Sequence, residues 1–426
     1  MTDRRRDIGI SGGKGVVVGD YATVFQSFAD QSRPIASYIR AAQFRTVVAE
    51  RTRHFVGREF VFDSVARLTT GEQFGSGYVV IRGEPGIGKT SIAASLVLRW
   101  GCVHHFNIAP ENIRSPRQFL ENVCAQLIVR YDLPHSAMPA EAGADAGFLS
   151  QLLGEAAERA RERGTSPVVV VVDALDEAED TGLPHSANRL FLPRALPDGV
   201  FFVVTTREEI DYRLDVDHLE DIWIRDDDPA NERDVRRYIE GFVEANAEVM
   251  TARMAEWQLS PAEFVQELAR FSEGNFMYLV HVLPEIAQAR LSRDTVGAIQ
   301  GLPRGLKGYY QRHWRDMKDE DPERFARLQR PVLCFLAIGR EPVTIHQLTE
   351  WTRLTPGDLR AVIHQWREFL NEDTRTSPSR YRIYHRSFAD FLDEQEDLRW
   401  YHDQIASAAL LKIPAFLSGP GASGLP

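Results

Sequence analysis

Two short stretches of this sequence carry residue types suited to phosphate chemistry. The first is GEPGIGKT, Gly83 to Thr90, which fits the pattern G-x-x-x-x-G-K-[ST]. It follows the apolar stretch YVVIR and precedes the helical pattern SIAASLVLRW, so it has the strand–loop–helix context that the pattern requires. A chance match is expected in only about 1–2% of chains of this length. The motif therefore predicts a nucleotide-binding site.

Each part of this loop has a predicted role. The glycines let backbone N–H groups turn inward onto phosphate oxygens. The ammonium of Lys89 reaches the β- and γ-phosphates, and the hydroxyl of Thr90 can ligate Mg²⁺. The predicted nucleotide-binding residues of the loop are Gly83, Glu84, Pro85, Gly86, Ile87, Gly88, Lys89, Thr90 and Ser91.

The second stretch is PVVVVVDALDEAED, in which five valines are followed by acids. Carboxylates repel one another and are costly to bury, so a positive partner is expected nearby. Asp173 ends the apolar strand, where a carboxylate can hold Mg²⁺ through water. Asp176 and Glu177 follow, and either one can orient or activate the attacking water. The alternative is a helix N-terminus, which favours acids and would explain one or two of them.

Bulk composition limits the class of protein. The chain has 426 residues, a length that predicts two to four domains. Because 43% of the residues are hydrophobic, the chain can bury a sizeable hydrophobic core. A net charge of −11 argues against a general nucleic-acid footprint. The three cysteines, Cys102, Cys124 and Cys334, match no metal or disulfide spacing. With no stretch of membrane-span length and no signal peptide, we expect a soluble, cytoplasmic protein.

The apolar pattern alternates between strands and helices over residues 41–228. The predicted strands are apolar on both faces, as in a parallel sheet covered by helices on each side, which is the expected α/β P-loop core. They are YVVIRG, VHHFNIA, VVVVVDA, VFFVVTT and DIWIRD.

Helices are predicted after this core. Residues 229–318 form a predicted helical domain, within which Ser260, Pro261 and Glu263 mark one helix start. Residues 319–400 form a predicted winged-helix domain. In it, PVTIHQLTEWT and TPGDLRAVIHQWREFL are interpreted as two helices and YRIYH as a strand. Residues 401–426 are predicted to be a tail or the start of a missing sensor region.

Several motifs together resemble those of the STAND NTPases, especially the NACHT type and its bacterial relatives. DALDE resembles their D-[GA]-L-D-E signature, and VVTTRE resembles their fourth-strand motif. FVGRE resembles the segment that lies against adenine and ribose, which implies nucleotide contacts from Val56, Gly57 and Arg58. Arg207 would then sit near the γ-phosphate as a sensor. IYHRSFADFL resembles the end of the family's winged helix, which implies that His385 approaches the β-phosphate of ADP.

This resemblance implies a nucleotide-controlled switch with ATP or ADP and Mg²⁺ as cofactors. ADP would hold the core, the helical domain and the winged helix closed, and exchange for ATP would open the protein and allow self-association. ATP hydrolysis would be slow and would reset the switch. The family implies a role in defence or programmed cell death. One departure is that the G-x-P motif of the plant-type and apoptotic branch is replaced by GNFMYL, so no proline can be assigned to the adenine contact.

Individual residues also have plainer interpretations. Arg207 can be a surface arginine that ends a strand, and His385 a histidine packed in the core. Arg58 can simply pair with Glu59 or Asp63.

Residues 1–40 are predicted to be a short β segment that can link to an effector protein. Their stretch VVVGD resembles the core of RHIM-like amyloid signalling motifs, but an ordinary edge hairpin is the favoured interpretation. Two other functions stay open. One is a winged-helix DNA-binding ATPase regulator. It is disfavoured, and nucleic acid is an unlikely partner, because TPGDLRAVIHQWREFL carries only Arg360 and Arg367 as basic residues, against Asp358 and Glu368. The other is an AAA+-like ATPase motor.

Overall fold

The computed structural model describes residues 33–70, 75–108, 111–165, 167–179, 188–207, 214, 216–288, 302–339, 341–367, 369–373 and 378–412. The predicted amyloid-like or hairpin stretch VVVGD lies outside these residues, as do residues 413–426 of the predicted tail. Residues 33–40 of the predicted N-terminal segment include a short 3₁₀ helix, Ile35–Tyr38.

A five-stranded parallel sheet forms the centre of the N-terminal half. Its strands lie in the order β2-β3-β4-β1-β5. Every residue of β3 and β4 is buried, which explains the unbroken run of valines in β3. The bounds are β1 Gly77–Gly83, β2 Val103–Phe106, β3 Val168–Asp173, β4 Val200–Thr206 and β5 Leu219–Ile224. The predicted parallel sheet is confirmed.

Helices cover both faces of this sheet. Along β3, Val169 and Val171 pack in one apolar cluster, and Val168, Val170 and Val172 pack in another on the opposite face. The first cluster includes side chains of α1–α3, and the second includes side chains of α4 and α5. Their bounds are α1 Ala41–Thr52, α2 Glu59–Thr70, α3 Lys89–Trp100, α4 Pro116–Tyr131 and α5 Gly147–Glu162.

Strand β5 differs from the predicted pattern of burial on both faces. It pairs with β1 at the edge of the sheet, and its residues 220, 221 and 223 are exposed. An edge strand lacks a neighbour on one side, so fewer of its side chains are covered. The strand itself lies where the sequence predicted it.

A set of helices follows the sheet, as predicted. The capping box at the start of α8 is present, because Glu263 N–H donates to Ser260 Oγ at 3.3 Å and Ser260 N–H donates to Glu263 Oε2 at 2.8 Å. The bounds are α6 Pro229–Ala245, α7 Ala247–Glu256, α8 Pro261–Ser272, α9 Phe276–Ala287 and α10 Gly305–Glu320.

The C-terminal unit combines helices with a small antiparallel sheet of order β6-β8-β7. It begins with α11 Pro322–Arg324 and a π-helical turn, Phe325–Gln329, and shares one apolar cluster with the helices before it. Its other elements are α12 Arg330–Ile338, β6 Val343–Thr344, α13 Ile345–Thr352, α14 Pro356–Gln365, β7 Leu370–Asp373, β8 Arg380–Ile383, α15 Arg386–Gln395 and α16 Leu398–Lys412.

One prediction about this unit was wrong in detail. The predicted second helix, TPGDLRAVIHQWREFL, ends at Gln365, and its last residue begins strand β7. The spacing of Trp366, Phe369 and Leu370 also fits a helix, but Leu370 pairs with Ile383 of β8 instead. Within the predicted tail, residues 401–412 belong to α16. Its Tyr401 is buried, with its ring centroid 5.1 Å from that of Phe335.

No helix in the described part of the chain is long and apolar enough to cross a membrane.

Candidate nucleotide-binding site

The P-loop connects β1 to α3. Gly86 and Gly88 have φ of +84° and +102°, a backbone region that favours glycine. The Lys89 ammonium donates to the carbonyls of Gly83 at 2.6 Å and Glu84 at 2.9 Å, so it folds back over its own loop. A glycine-rich loop of this kind can turn its backbone N–H groups onto phosphate oxygens, with the lysine close by.

Helix α9 begins directly on this loop. The Asn275 side chain accepts from Met277 N–H at 3.0 Å and donates to the Pro85 carbonyl at 2.9 Å. Met277 N–H also donates to the Gly86 carbonyl at 3.1 Å. From the sequence, we noted only that GNFMYL lacks the proline of the G-x-P motif. An asparagine before an apolar helix is an N-cap signal, and it could have located this helix start.

Arg58 supports the loop from inside the protein. Its side chain is 2% exposed and donates to the Ile87 carbonyl at 2.6 Å, with the guanidinium 4.8 Å from the centroid of the Phe276 ring. Its backbone N–H donates to Asp234 Oδ2 at 2.9 Å. Burial lowers the pKa of Arg58 to about 10, although the charges of Asp234 and Asp228 oppose that shift.

The simple ion pair suggested for Arg58, with Glu59 or Asp63, is therefore wrong. The carboxylate beside Arg58 belongs to Asp234 on α6, with Nη1 and Oδ2 3.9 Å apart. Neighbouring Gly57 has a φ of +73°, and a Cβ there would lie 2.1 Å from Asp234 Oδ1. A glycine is needed at this close approach.

Asp173 occupies the buried end of β3. It is 2% exposed, and its Oδ1 accepts from Thr205 Oγ1 at 2.6 Å. Burial raises its pKa, against the opposing effects of hydrogen bonds from Thr205 and Thr90 and the charge of Lys89. The Asp173 carboxylate and the Thr90 hydroxyl, which contact each other, together supply hard oxygen donors.

These oxygens suit Mg²⁺. This ion is usually held by one or two protein oxygens, with water and phosphate completing its shell. No cluster of three His, Cys, Asp or Glu residues that could hold a metal occurs among the described residues, and a site of this kind needs none. The prediction that Thr90 and Asp173 hold Mg²⁺ therefore fits the donors present.

The two acids after Asp173 differ in their surroundings. Asp176 is 5% exposed, and its Oδ2 lies 3.1 Å from Arg207 Nε. Glu177 is half-buried and lines the cavity beside the P-loop. Both lie in a single 3₁₀ turn, Leu175–Glu177, so the dipole of a longer helix does not explain them.

Arg207 is bound from two sides. Besides the contact with Asp176, its Nη1 donates to Asp390 Oδ2 of α15 at 2.6 Å. Desolvation alone would lower its pKa, but the carboxylates of Asp390, Asp176 and Glu177 outweigh that effect and raise it. With 21% of its side chain exposed, Arg207 joins the core to the C-terminal unit and is not a plain surface arginine.

His385 lies at the opposite wall, as the N-cap of α15. Its Nδ1 accepts from Ser387 N–H at 3.2 Å, so the neutral ring carries its hydrogen on Nε2. Desolvation, together with the nearby charges of Arg51, Arg207 and Lys89, lowers the pKa of His385 to about 3. The ring is half-buried and lines the cavity rather than packing wholly inside the core.

One cavity brings most of the predicted residues together. Those that line it are Pro85, Gly86, Gly88, Lys89, Thr90, Ser91, Asp176, Glu177, Arg207 and His385. Asp173 borders an adjoining cavity that shares Thr90 and Glu177 with the first. The predicted site residues that do not line the first cavity are Val56, Gly57, Arg58, Gly83, Glu84, Ile87 and Asp173.

Some residues that line the first cavity were not predicted from the sequence. They include Phe276, Met277 and Val280 on α9, Tyr384 before α15 and Arg51 on α1. The Arg51 guanidinium donates to the Tyr384 hydroxyl at 2.9 Å. Arg51 and Val280 lie outside every motif quoted from the sequence. Phe276 and Met277 lie within GNFMYL and Tyr384 within IYHRSFADFL, but the sequence assigned them no role.

Comparison with known proteins agrees with the chemistry of the site. Residues 54–199 match the family model described as AAA ATPase domain. Among solved structures, the chain resembles one titled "Structure of Drosophila ORC bound to DNA", with 14% identity and a TM-score of 0.31, over 80% of this chain and 94% of that chain. A comparison with curated protein sequences found no match. The P-loop, the buried Asp173 and the match over residues 54–199 together support a P-loop NTPase domain in this part of the chain.

Proposed function

We propose that this protein is an ATP/ADP-controlled switch of the STAND class, of NACHT-like type, which hydrolyses ATP slowly and self-associates when ATP is bound. The C-terminal unit, proposed here to be a winged helix, closes over the nucleotide in the ADP state. The P-loop NTPase supplies the nucleotide site, and the C-terminal unit supplies the part that moves.

The observation that carries this proposal is the position of Arg207 between two carboxylates. One is Asp176 of the core, at 3.1 Å, and the other is Asp390 of the C-terminal unit, at 2.6 Å. An arginine at the end of β4 is suited to bind a γ-phosphate, because its guanidinium matches phosphate oxygens in pairs. In this arrangement the Asp390 carboxylate binds the Arg207 guanidinium, which the γ-phosphate of ATP would otherwise bind.

Other contacts support a closed state. Tyr384 and His385 line the same cavity as Lys89, and Arg386 Nη1 donates to the Asp176 carbonyl at 3.4 Å. ADP leaves the γ-phosphate position empty, so it is compatible with the Arg207–Asp390 contact. The γ-phosphate of ATP would compete with Asp390 for Arg207 and would favour release of the C-terminal unit. ATP shifts the equilibrium only by the difference in its affinity for the two states.

The test is to measure the mass of the full chain in solution with ADP·Mg²⁺ and with a non-hydrolysable ATP analogue and Mg²⁺. Light scattering coupled to size-exclusion chromatography gives the mass directly. We expect a single low-mass species with ADP and larger species with the analogue. Asp390→Asn should increase the larger species at equal nucleotide concentration, because it removes one of the two charges that hold Arg207.

Asp393→Asn is the matched control. Asp393 lies on the same helix and is exposed, so its loss should leave the mass distribution unchanged. If Asp390→Asn and the wild-type protein give the same mass with both nucleotides, the Arg207–Asp390 contact does not control assembly.

The match to an AAA ATPase domain favours one second candidate, an ATPase motor. The two proposals differ in rate. A switch that resets slowly should turn over far below the median enzyme value of about 10 s⁻¹. A steady turnover near or above that value, in the wild-type chain with Mg²⁺ and ATP, would support the motor instead.

A further inference from the structure

We propose that Tyr310 and Ser387 are positioning residues which fix the tautomer of His385, so that its Nε2–H is offered as a neutral donor to the bound nucleotide. This inference rests on the proposed function, because it assigns His385 a contact with nucleotide phosphate. It adds Tyr310 and Ser387, neither of which was among the predicted site residues.

The three side chains form a continuous chain of hydrogen bonds. Ser387 Oγ lies 2.7 Å from His385 Nδ1, and the Tyr310 hydroxyl lies 2.9 Å from Ser387 Oγ. Ser387 belongs to the first turn of α15, whereas Tyr310 comes from α10 in the helical region. The chain therefore runs from the helical region, through the C-terminal unit, to the cavity wall.

The direction of each bond follows from one backbone group. Ser387 N–H can only donate, and it points to His385 Nδ1 at 3.2 Å. Nδ1 therefore accepts and carries no hydrogen in the neutral ring. Ser387 Oγ–H must then donate to Nδ1, which leaves its oxygen to accept from the Tyr310 hydroxyl. The ring hydrogen is on Nε2, which has no hydrogen-bond partner of its own within the described residues.

Packing holds the start of this chain in place. Tyr310 is 2% exposed, and its ring centroid lies 5.1 Å from that of Phe388 and 5.6 Å from that of Phe391. A tyrosine enclosed by aromatic rings has few alternative rotamers, so its hydroxyl keeps one direction. Burial also raises the pKa of Tyr310 to about 12, so the hydroxyl stays protonated and can donate.

The charges around His385 explain why its tautomer matters. Desolvation lowers the pKa of His385, and the positive charges of Arg51, Arg207 and Lys89 lower it further. The ring is therefore neutral, and a neutral imidazole donates from one nitrogen only. With the hydrogen on Nδ1, the ring would offer the cavity a lone pair, which phosphate oxygens repel. The tautomer thus decides whether His385 attracts or repels the nucleotide.

The test uses the full chain labelled with ¹⁵N at histidine, bound to ADP·Mg²⁺, and long-range ¹H–¹⁵N correlation spectra at pH 7.5. The His385 signals are assigned by their loss in His385→Gln. We expect the wild type to show a protonated Nε2 and an unprotonated Nδ1. Ser387→Ala should shift His385 toward a mixture of tautomers, and Tyr310→Phe should cause a smaller shift. Ser387→Thr keeps the hydroxyl and should restore the wild-type pattern.

ADP affinity, measured by calorimetry on the same variants, is the second readout. Loss of one neutral hydrogen bond corresponds to about 2- to 10-fold weaker binding. Tyr278→Phe is the matched control, since its buried hydroxyl donates to the Pro303 carbonyl at 2.7 Å and has no bond to His385 or Ser387. It should leave both the His385 tautomer and ADP affinity unchanged.

Two outcomes overturn the inference. One is an Nδ1–H tautomer in the wild type, or a tautomer that neither Ser387→Ala nor Tyr310→Phe alters. The other is a change of tautomer with unchanged ADP affinity, because the hydrogen-bond chain would then not serve the nucleotide. Nucleotide-dependent assembly is measured separately by light scattering, so failure of the proposed switch is recognised independently of these spectra.

Discussion

The side-chain amide of Asn275 donates a hydrogen bond of 2.9 Å to the Pro85 carbonyl, so helix α9 starts on the P-loop itself. The same side chain caps α9 by accepting from Met277 N–H at 3.0 Å. A shift of α9 would therefore pull on the loop that binds phosphate. The helical region is thus hydrogen-bonded directly to the P-loop.

Asn275→Ala should lower the free energy of unfolding by about 0.5–2 kcal/mol, because it removes an N-cap. It should also weaken ATP binding, measured by calorimetry, since the P-loop loses a contact at Pro85. Ser260→Ala is the control, because Ser260 caps α8 without touching the loop. Equal ATP affinities in the two variants would show that the Asn275–Pro85 bond does not shape the site.

Lys89→Ala should abolish measurable binding of ATP and ADP. The ammonium, now bonded to the carbonyls of Gly83 and Glu84, is the cation of the loop that can reach the phosphates. Calorimetry with Mg²⁺ and each nucleotide checks this. Lys307→Ala, at an exposed lysine that pairs with Glu394, should bind as the wild type does. Retained affinity in Lys89→Ala would remove the basis of the nucleotide-site assignment.

Glu177→Gln should slow ATP hydrolysis by a factor of about 10²–10⁴, the usual contribution of a general base, and should leave ATP affinity nearly unchanged. Phosphate release under single-turnover conditions measures the step. Glu177 is tested first because it is more exposed to the cavity than Asp176, which is 5% exposed and contacts Arg207 at 3.1 Å. The control is Glu179→Gln, two residues further on. A wild-type rate of ATP hydrolysis in Glu177→Gln would show that Glu177 is not the general base.

The stability of the ADP-bound closed state should fall as pH decreases from 6.5 toward 3. His385 is neutral in the closed state with a pKa of about 3, whereas an exposed histidine has a pKa of about 6.5. Between these values the unfolded or opened protein binds a proton that the closed state does not. The stabilisation that neutral His385 contributes is thus fully present above pH 6.5 and is lost as pH falls. This one group lowers the free energy of unfolding by at most about 1.4 kcal/mol per pH unit.

The pH prediction is checked by thermal unfolding with saturating ADP from pH 7.5 to 5. His105 and His281 have pKa values lowered by burial to about 3 and about 4, so they contribute a similar slope. The informative quantity is therefore the difference between the wild type and His385→Gln. We expect a shallower slope in the variant. Parallel curves would mean that His385 is equally accessible to protons in both states.

Much of the fold was predictable because it depends on local patterns. The valines of β3 indicated a strand buried on both faces, and Ser260 with Glu263 marked the start of α8. Strand β7 was not predictable in this way. Trp366, Phe369 and Leu370 have spacing that fits a helix, and only pairing of Leu370 with Ile383 makes the segment a strand.

By itself, the sequence determined the chemistry of the phosphate site. The P-loop motif and Asp173 each depend on a few consecutive residues that one turn or one strand end places correctly. The tertiary structure decided which distant groups meet there. It brought Asp390 to Arg207, 2.6 Å apart, and Tyr310 to Ser387, 2.9 Å apart. Such contacts join residues on different elements, and their geometry depends on how whole helices pack rather than on any local pattern of the chain.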